Sequence, residues 1–509
     1  MAYSRPGVYI SERLLPAPIT GGVTANAAGA VAAPFAQGPE AVTRVTSWYE
    51  FTKNFGGYNA AYPATFGVGA FFNNGGRELF VKRILHSDAT AASVDLLTSG
   101  SAVVATVTAK NAGTDGNNLR ITVEAGQVAG TYTLTLYKES GVADTVSGGV
   151  VTAGLSDDVL LERYENIVFN DPTSSDFAEN VVNLVSPNIS ISNSASGTPV
   201  SATYPLASGG NGTAVVAADY TNYKGNGSVW QDFASLDRAL VIFLPNINTT
   251  LSANVPSVYD DAIAWAEANE GFVVAETPAD ETPANAITFA SGLSSSSAAA
   301  VYYPHIYVAD PLGRSSQALR KVGPSGAVAG LFLTTDATKG VFKAPAGLGS
   351  PLSGIVALER TFSSSELDSL NAASSPVNPI RQLPGAGISV MGARTLKQDG
   401  TANKYVNMRR SLIYIKKQLK NLTEFAIFEN NDERLWTRIN GAIGSFLNDY
   451  RNQGGLRGAT SAQAYYVLCD ATNNTATTIA NGEVHIQVGV ALQYPAEFIV
   501  IDLSQKTLN

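Results

Sequence analysis

The residues best suited to chemistry are few and far apart in this 509-residue chain. Its histidines are His86, His305 and His485, and its single cysteine is Cys469. None of the histidines forms an HExxH pair, and one cysteine can form neither an intrachain disulfide nor a multi-cysteine zinc site. Cys469 ends an apolar stretch that starts at Tyr465, where a thiol packs as a small hydrophobic group. We therefore expect structural roles for these residues, and only carboxylate metal sites stay open.

Three glycine or loop motifs lie where a nucleotide-binding or hydrolase site would need them. Gly209-Gly210-Asn211-Gly212 is not followed by Lys and Ser or Thr, and no Gly-Lys pair occurs in the sequence, which excludes a Walker loop. The loop 245–250, after a predicted strand, has no glycine to admit a dinucleotide phosphate. Gly323-Pro324-Ser325-Gly326 lacks the Gly-x-Ser-x-Gly spacing of a nucleophile elbow, so Ser325 is expected at a turn or helix N-cap. A triad of distant residues stays open, because triads are defined by geometry, but no motif supports it.

Composition favours a folded, soluble protein with a weakly charged surface. Hydrophobic residues make up 45% and charged residues 15%, against about 25% charged residues in typical domains. The net charge of −9 argues against direct nucleic-acid binding, which depends on cations that release counterions. Arg5, Pro6, Glu12 and Arg13 replace the apolar stretch of a secretory signal, and no run approaches the roughly 18 apolar residues of a membrane helix. We expect no signal peptide and no membrane insertion.

The first 205 residues predict an arm, a small α/β unit and a β-rich insertion. Closely spaced prolines in 1–22 favour an extended arm. Ser47 precedes a helical pattern, and a second helix is expected to end at Gly75-Gly76 before a strand over 79–84. Alternating apolar residues over 103–108, 119–123 and 132–137 then predict β strands.

The rest of the chain predicts a parallel α/β sheet and a helical C-terminal region. Strands are expected over 239–244, 271–275 and 305–309, with a helix capped by Ser257 between the first two. Further on, we expect a basic helix around 409–420, a strand over 425–428 and a helix opened by an Asn430–Glu433 capping box. The apolar face of that last helix is Leu435, Ile439, Ile443, Phe446, Leu447 and Tyr450. Strands are also expected over 464–469 and, near the C-terminus, 498–503.

The predicted fold class is α/β, in the sense of a multi-domain α+β chain: a central α/β sheet domain, a C-terminal α/β domain, an inserted β-rich outer domain and extended terminal arms. The predicted divisions are 1–22 (arm), 23–88 (α/β segment packing with the core), 89–205 (β-rich insertion), 206–375 (α/β domain), 376–488 (C-terminal inner domain) and 489–509 (C-terminal extension).

Positive charge is concentrated in 403–457, which holds ten Lys or Arg and five Asp or Glu while the remainder of the chain carries −14. One interpretation is a solvated helix face. The other is a docking face for an acidic partner, which opposite charge would orient. The cations concerned are Lys404, Arg409, Arg410, Lys416, Lys417 and Lys420.

A series of short motifs in a fixed order resembles the sheath proteins of contractile tails, found in myophage-type bacteriophages and in related bacteriocins and injection systems. The motifs are Arg5-Pro6-Gly7-Val8-Tyr9-Ile10, Trp48-Tyr49-Glu50-Phe51, Phe71-Phe72-Asn73-Asn74-Gly75-Gly76, Gly323-Pro324-Ser325-Gly326, Asn378-Pro379-Ile380-Arg381, Gly392-Ala393-Arg394-Thr395-Leu396, Tyr405-Val406-Asn407-Met408-Arg409-Arg410, Phe428-Glu429-Asn430-Asn431-Asp432 and Pro495-Ala496-Glu497-Phe498-Ile499. The segment 89–204 matches loosely, as expected for a variable outer domain of that family.

The resemblance implies a structural protein without catalytic site, cofactor or metal, polymerised as stacked hexameric rings around a tail tube. Its partners would be further copies of the chain, the tube protein, and baseplate and tail terminator proteins, in a phage tail assembled in the host bacterial cytoplasm. Contraction from a kinetically trapped extended state would drive the tube through the target envelope during genome ejection. The basic region 403–457 would face the tube, and the linkers 14–22 and 489–495 would act as hinges.

In that family the two chain ends exchange strands with the sheets of neighbouring subunits. The candidate donors here are Tyr3, Val8, Tyr9, Ile10, Phe498, Ile499, Val500, Ile501 and Leu503. An unpaired strand is marginal alone, and an adjacent sheet edge satisfies its backbone groups. Two alternatives stay open: a β-rich capsid or surface protein, and an α/β hydrolase-like enzyme.

Overall fold

The computed structural model of the chain describes residues 27–139, 145–153, 158–236, 238–251, 253–385 and 387–497. The predicted arm 1–22 and the predicted strand 498–503 lie outside these residues.

The strands of the described residues are, in chain order, β1 (Ala27–Ala33), β2 (Thr43–Val45), β3 (Leu79–Arg83), β4 (Ser93–Leu97), β5 (Val103–Ala109), β6 (Leu119–Ala125), β7 (Tyr132–Lys138), β8 (Thr145–Ser147), β9 (Val150–Ala153), β10 (Val159–Ile167), β11 (Ile189–Asn193), β12 (Ala202–Pro205), β13 (Ala239–Phe243), β14 (Phe272–Glu276), β15 (Ala299–Tyr303), β16 (Ile306–Ala309), β17 (Leu319–Val322), β18 (Ile355–Leu358), β19 (Val377–Leu383), β20 (Gly387–Val390), β21 (Tyr465–Leu468) and β22 (Gln487–Val490).

The α-helices are α1 (Trp48–Phe55), α2 (Ala64–Asn73), α3 (Ala178–Val185), α4 (Ala218–Thr221), α5 (Ile247–Thr250), α6 (Val255–Ala268), α7 (Pro283–Ser291), α8 (Ser325–Lys339), α9 (Ser364–Ala372), α10 (Val406–Thr423), α11 (Glu433–Asn452), α12 (Ser461–Ala464) and α13 (Ala476–Ala480).

An eight-stranded sheet forms the centre of the molecule, in the order β2-β3-β1-β13-β14-β15-β19-β20. The six inner strands run parallel, and β2 and β20 close the two edges antiparallel. Helices cover both faces, so β13 and residues 272–275 of β14 are continuous apolar runs, as expected for a parallel sheet buried on both sides. The predicted α/β class is confirmed.

Two predicted details of this sheet are wrong. The third parallel strand is β15, whereas residues 306–309 form β16 in a separate antiparallel sheet with β17 and β18. Pro304, which lacks an N–H donor, lies between the two strands. Helix α6 starts at Val255 after Asn254, and Ser257 lies inside its first turn, where its hydroxyl donates to the Asn254 carbonyl at 2.7 Å.

The β-rich insertion is present as two sheets, β10-β7-β6-β12 and β11-β5-β4, packed around their own apolar core with the short helix α3. The three strands predicted from alternation are β5, β6 and β7. Backbone pairing of Thr90 with Gly210 joins the two ends of the insertion. The chain therefore enters and leaves this domain side by side.

We call residues 406–490, with helices α10 to α13 and strands β21 and β22, the C-terminal module. Helix α11 buries the predicted apolar face against α10 and the two strands, with Phe446 partly buried and Trp436 added. Residues 424–426 form a 3₁₀ turn, so the predicted strand over 425–428 is wrong. The N-cap of α11 is Asp432 and not Asn430, because the Asp432 carboxylate accepts from the N–H groups of Arg434 and Leu435.

Candidate functional site: the C-terminal module and its attachments

The predicted strand donors lie outside the described residues. This holds for Tyr3, Val8, Tyr9, Ile10, Phe498, Ile499, Val500, Ile501 and Leu503. Their assignment stays a prediction from the sequence.

A two-stranded sheet in the C-terminal module is a candidate acceptor for such strands. β21 pairs antiparallel with β22 from Tyr465–Val490 to Leu468–Gln487. Within the described residues, neither strand pairs with a further strand on its other edge. The ring of Tyr466 lies over Gly489, where an added Cβ would meet its Cε1 at 2.1 Å. Two strands alone are marginal in water, so this sheet depends on α11 beneath it and leaves two rows of backbone groups for a partner.

We call residues 491–497 the strap, because they cross from the two-stranded sheet to the central sheet. The Ala491 N–H donates to the Ala464 carbonyl at 2.8 Å, and the Ala491 carbonyl accepts from Arg457 at 2.7 Å. The Asn407 side chain donates to the Gln493 carbonyl at 3.3 Å. The predicted hinge over 489–495 is therefore pinned to the body of its own subunit.

The strap ends in a two-pronged ion pair. Arg394 donates from Nε and Nη2 to the two carboxylate oxygens of Glu497, both at 2.7 Å. The Tyr405 hydroxyl donates to the same carboxylate at 3.3 Å. Three motifs that the sequence spreads over 103 positions thus meet at one point. No local pattern in the sequence signals this contact.

Arg410, which the sequence places in the basic face, is buried. Its guanidinium donates to both carboxylate oxygens of Asp336 in α8, with Nη1 to Oδ1 at 2.8 Å, and lies 4.7 Å from the Phe332 ring centre. The two side chains are 5% and 0% exposed. Arg410 therefore ties α10 to the central domain and is not part of an exposed cationic surface.

The other predicted cations differ in exposure. Lys416 and Lys420 are exposed, and Lys416 lies 2.8 Å from Glu270. Lys417 and Lys420 line a cleft of about 240 Å³ together with Arg238 and Trp265. We call Lys416, Lys417 and Lys420 the basic patch of the module.

Lys404 and Arg409 lie nearer the start of α10 and are half-buried. The Lys404 ammonium lies 4.9 Å from the Tyr405 ring centre. They are thus less exposed than Lys416 and Lys420.

Sequence reasoning missed an exposed apolar tip between α10 and α11. Ile427 is 64% exposed and Phe428 is fully exposed. Phe428 also has φ +66°, a left-handed conformation that costs a bulky residue free energy. The base of this turn is held by the Asn431 amide, which accepts from the Trp436 indole at 2.8 Å and donates to the Glu483 carbonyl at 2.9 Å.

The carboxyl edge of the parallel sheet, where α/β enzymes bind ligands, is filled here by the chain's own groups. Buried Glu276 at the end of β14 accepts from the N–H groups of Asn246 at 2.6 Å and Ser325 at 3.1 Å. The Asn246 amide in turn accepts from Gly323 at 2.7 Å. Burial raises the pKa of the Glu276 carboxyl, while nearby His305 and the N–H donors oppose that rise. Glu276 thus occupies the N-terminus of α8, the position of an anionic ligand in many enzymes.

The described residues contain no group of three or more His, Cys, Asp and Glu side chains that could hold a metal ion. The same residues include no helix with the length and hydropathy needed to cross a bilayer.

Residues 398–506 match the model of the phage tail sheath C-terminal domain family. The tail sheath protein of Vibrio phage KVP40 is 26% identical over 184 residues, which cover 36% of this chain and 26% of that protein. The match thus spans about a quarter of that relative's length.

Solved structures share the fold over nearly the whole chain. The PVC sheath complex of an extracellular contractile injection system, in its contracted state, gives a TM-score of 0.56 at 20% identity and covers 99% of both chains. The contracted helical sheath of the anti-feeding prophage gives 0.57 at 19%, covering 99% of this chain and 100% of that one. The sheath tail protein of Listeria innocua gives 0.60 at 13%, covering 91% and 94%. The predicted resemblance to contractile tail sheath proteins is therefore confirmed.

Proposed function

We propose that this chain is the subunit of a contractile sheath, a structural protein without catalysis or cofactor. It polymerises as stacked hexameric rings around a tail tube, next to baseplate and tail terminator proteins, in a tail assembled in the host bacterial cytoplasm. Contraction from a kinetically trapped extended state drives the tube through the target envelope. The family match over 398–506 and the shared fold support this role.

The observation that carries the proposal is the β21–β22 sheet. It offers two unpaired edges among the described residues, while the sequence continues past Glu497 into the strand-like stretch 498–503. A neighbour's strand added to such an edge gains main-chain hydrogen bonds and specific side-chain contacts. Donation from one copy to the next is a heterologous contact, which generates rings or open helical polymers.

The rest of the structure supports a sheath that moves as rigid bodies. The central sheet is buried on both faces, and the strap and Arg410 fasten the C-terminal module to it. Rotation of whole subunits then changes the contacts between copies, while exchanged strands keep the lattice connected. The stored free energy is released when the kinetic barrier is crossed.

Electron microscopy of the purified chain tests assembly, with striated hollow cylinders as the expected result. Val500→Pro removes one ladder donor from the proposed donor strand and is expected to abolish the cylinders. Val500→Thr, which keeps the N–H and the β-branched shape, is the matched control and retains them. Closed small oligomers of the unaltered chain would instead favour the surface-protein alternative, and monomers would overturn the sheath proposal.

The basic patch of the module is proposed as the surface that faces the tube, since opposite charge gives register to such contacts. Reversal of two patch lysines together with Arg409, which lies outside the patch nearer the start of α10, tests this: Arg409→Glu, Lys416→Glu and Lys417→Glu together are expected to abolish co-assembly with the tube protein while tube-free polymers still form. The matched control reverses three exposed cations elsewhere in the chain: Lys53, Arg77 and Arg163. Equal tube binding by both triple variants, measured by co-sedimentation, would remove this assignment.

A further inference from the structure

A cleft of about 450 Å³ lies beside the strap, and we call it the strap cleft. It is lined by residues of the segments 342–347 and 391–393, by the strap, and by Tyr405 and Asn407 at the start of α10. The strap is hydrogen-bonded to the body of the subunit, through Ala491 to Ala464 and Arg457 and through the Gln493 carbonyl to Asn407. The cleft is therefore formed before any partner binds, which lowers the cost of binding.

The strap cleft combines an exposed apolar lining with an unpaired cation. Met391 and Tyr494, which line it, are 36% and 54% exposed. Lys343 also lines the cleft, is exposed, and forms no ion pair within the described residues. Exposed apolar surface of this kind is typical of a contact site for another molecule. An apolar group followed by an acidic side chain would match it.

The exposed tip between α10 and α11 has these complementary features. Phe428 is fully exposed, yet its backbone is held at φ +66°. The turn is fixed on one side by Arg438, whose guanidinium lies 4.1 Å from the Phe425 ring centre. Glu429 follows directly, is exposed, and makes no ion pair in the described part of the chain. Backbone strain that the surrounding structure maintains points to a function for the strained residue.

The strap cleft and the tip lie at opposite ends of α10. The cleft is lined by Tyr405 and Asn407, where the helix starts, and the tip follows Thr423, where it ends. The helix has 18 residues. At a rise of about 1.5 Å per residue, its ends are about 27 Å apart. Phe428 therefore cannot fill the cleft of its own chain and can reach only that of another copy.

We propose that Phe428 of one copy inserts into the strap cleft of a neighbouring copy, with its Glu429 beside Lys343 of that neighbour. A buried aromatic side chain in a preformed pocket is the kind of group that dominates the affinity of an interface, and opposite charges fix its register. The two surfaces differ, so the contact is heterologous and can repeat from copy to copy. The inference rests on the proposed function, which requires contacts between unlike surfaces of neighbouring copies.

Crosslinking of mixed chains tests whether the tip and the cleft meet between copies. One chain carries Asn430→Cys beside the tip, and a second, larger tagged chain carries Leu348→Cys beside the cleft; both positions are exposed. The chains are mixed before assembly and treated with a short bismaleimide. The native Cys469 is 1% exposed and burial raises the pKa of its thiol, so it reacts little.

A product that joins the two different chains is expected in the mixture. Its mass on a denaturing gel distinguishes it from a product of two identical chains. Products of the Asn430→Cys chain with itself would show that tips meet each other, and they would overturn the assignment of the cleft. Absence of the mixed product from assembled polymers would overturn it as well.

Charge reversal tests the register of the contact. Lys343→Glu and Glu429→Lys, each alone, are expected to raise the concentration needed for polymer assembly about tenfold, because like charges then meet. The double variant restores opposite charges and is expected to assemble within about twofold of the unaltered chain. A double variant that assembles no better than either single variant would contradict the proposed pairing.

The aromatic ring is tested by Phe428→Ala, which is expected to raise the same concentration by about tenfold or more. Its melting temperature as a monomer should not fall, because the ring is fully exposed in its own subunit. The matched control Tyr49→Ala removes a ring that is 77% exposed elsewhere on the surface and is expected to leave assembly unchanged. Equal effects of the two substitutions would count against the tip.

The two proposals fail in different ways. If the unaltered chain forms no polymers, the proposed function is wrong, and the contact between tip and cleft is wrong with it. If the unaltered chain polymerises and Phe428→Ala polymerises equally well, the contact is overturned and the sheath proposal stands.

Discussion

The central sheet and the C-terminal module satisfy their polar groups in opposite ways. The central domain closes its carboxyl edge with Glu276 and Asn246, both at most 5% exposed. The module leaves the two edges of its β21–β22 sheet without a strand partner in the described residues and holds Phe428 fully in solvent. The first arrangement suits a body that keeps its shape, and the second suits a surface that is completed by another molecule.

A buried ion pair, Arg410–Asp336, is among the contacts that join the two regions. Arg410 and Lys416 lie on the same helix, α10, yet Arg410 is paired inside the protein and Lys416 at its surface. A helix that is rich in basic residues therefore does not present all of them on one exposed face. Substitutions in each region therefore give effects of different size, and those differences test the comparison.

The largest effect is expected from Arg410→Ala. The substitution leaves Asp336 buried without its partner, which typically lowers the free energy of unfolding by about 3–5 kcal/mol. Lys416→Ala on the same helix removes an exposed pair and is expected to change it by about 0–1 kcal/mol. Urea unfolding of both variants checks this. Similar losses in the two would contradict the assignment of Arg410 to the interior.

A smaller contrast is expected between two helical glycines. At Gly326 in α8 an added Cβ would meet the Gly67 carbonyl oxygen of α2 at 2.1 Å, whereas nothing lies within 4 Å at Gly441 in α11. Gly326→Ala is expected to lower the free energy of unfolding by about 1–3 kcal/mol, because the close packing of α2 and α8 must open. Gly441→Ala is expected to raise it by about 0.8–1.0 kcal/mol through helix propensity. Melting temperatures that shift in the same direction in the two variants would contradict this contrast.

The sequence predicted those features that local periodicity encodes. The alternation of β5 to β7 and the apolar face of α11 depend on neighbouring residues alone, so both were predicted correctly. The ordered motifs predicted the resemblance to contractile tail sheath proteins, which composition could not.

The sequence could not predict contacts that tertiary structure creates. Arg410 and Asp336 are 74 positions apart, and only the placement of α8 decides that this arginine is buried while Lys416 is not. For the same reason, the sequence does not indicate that Arg394 and Glu497 form an ion pair. The cap predicted at Asn430 is wrong, because Asp432, two positions later, is an equally good capping residue and its carboxylate accepts from the first-turn N–H groups.

Glu276→Gln, at the carboxyl edge of the central sheet, is expected to lower the free energy of unfolding by about 1–3 kcal/mol. Its two carboxylate oxygens accept from different N–H groups, and a glutamine amide presents one oxygen and one NH₂, so one backbone donor loses its acceptor. The variant is compared with the unaltered chain by urea unfolding.

The pH dependence of stability gives a second readout for the same variant. Burial raises the folded-state pKa of Glu276 above the value of 4.5 that applies to the unfolded chain. Between these two values the folded state holds a proton that the unfolded state has lost, so the free energy of unfolding falls as pH rises through this window. Glutamine does not titrate, and its curve should be flatter there. If the two proteins gave parallel curves of unfolding free energy against pH, the pKa of Glu276 would be the same in the folded and unfolded states.

The smallest effect, of opposite sign, is expected at the exposed tip of the module. Phe428 has φ +66° and a fully exposed ring, so glycine relieves the backbone strain without loss of packing. Phe428→Gly is expected to raise the free energy of unfolding by about 1 kcal/mol. The control Ile427→Gly, at an exposed neighbour without a left-handed backbone, is expected to lower it by about 0.5–1 kcal/mol. At the carboxyl edge of the central sheet, the left-handed position 246 is occupied by asparagine, which tolerates that conformation. In the C-terminal module the left-handed position 428 instead carries an exposed aromatic residue. A loss of stability in Phe428→Gly would show that the ring has contacts within its own subunit.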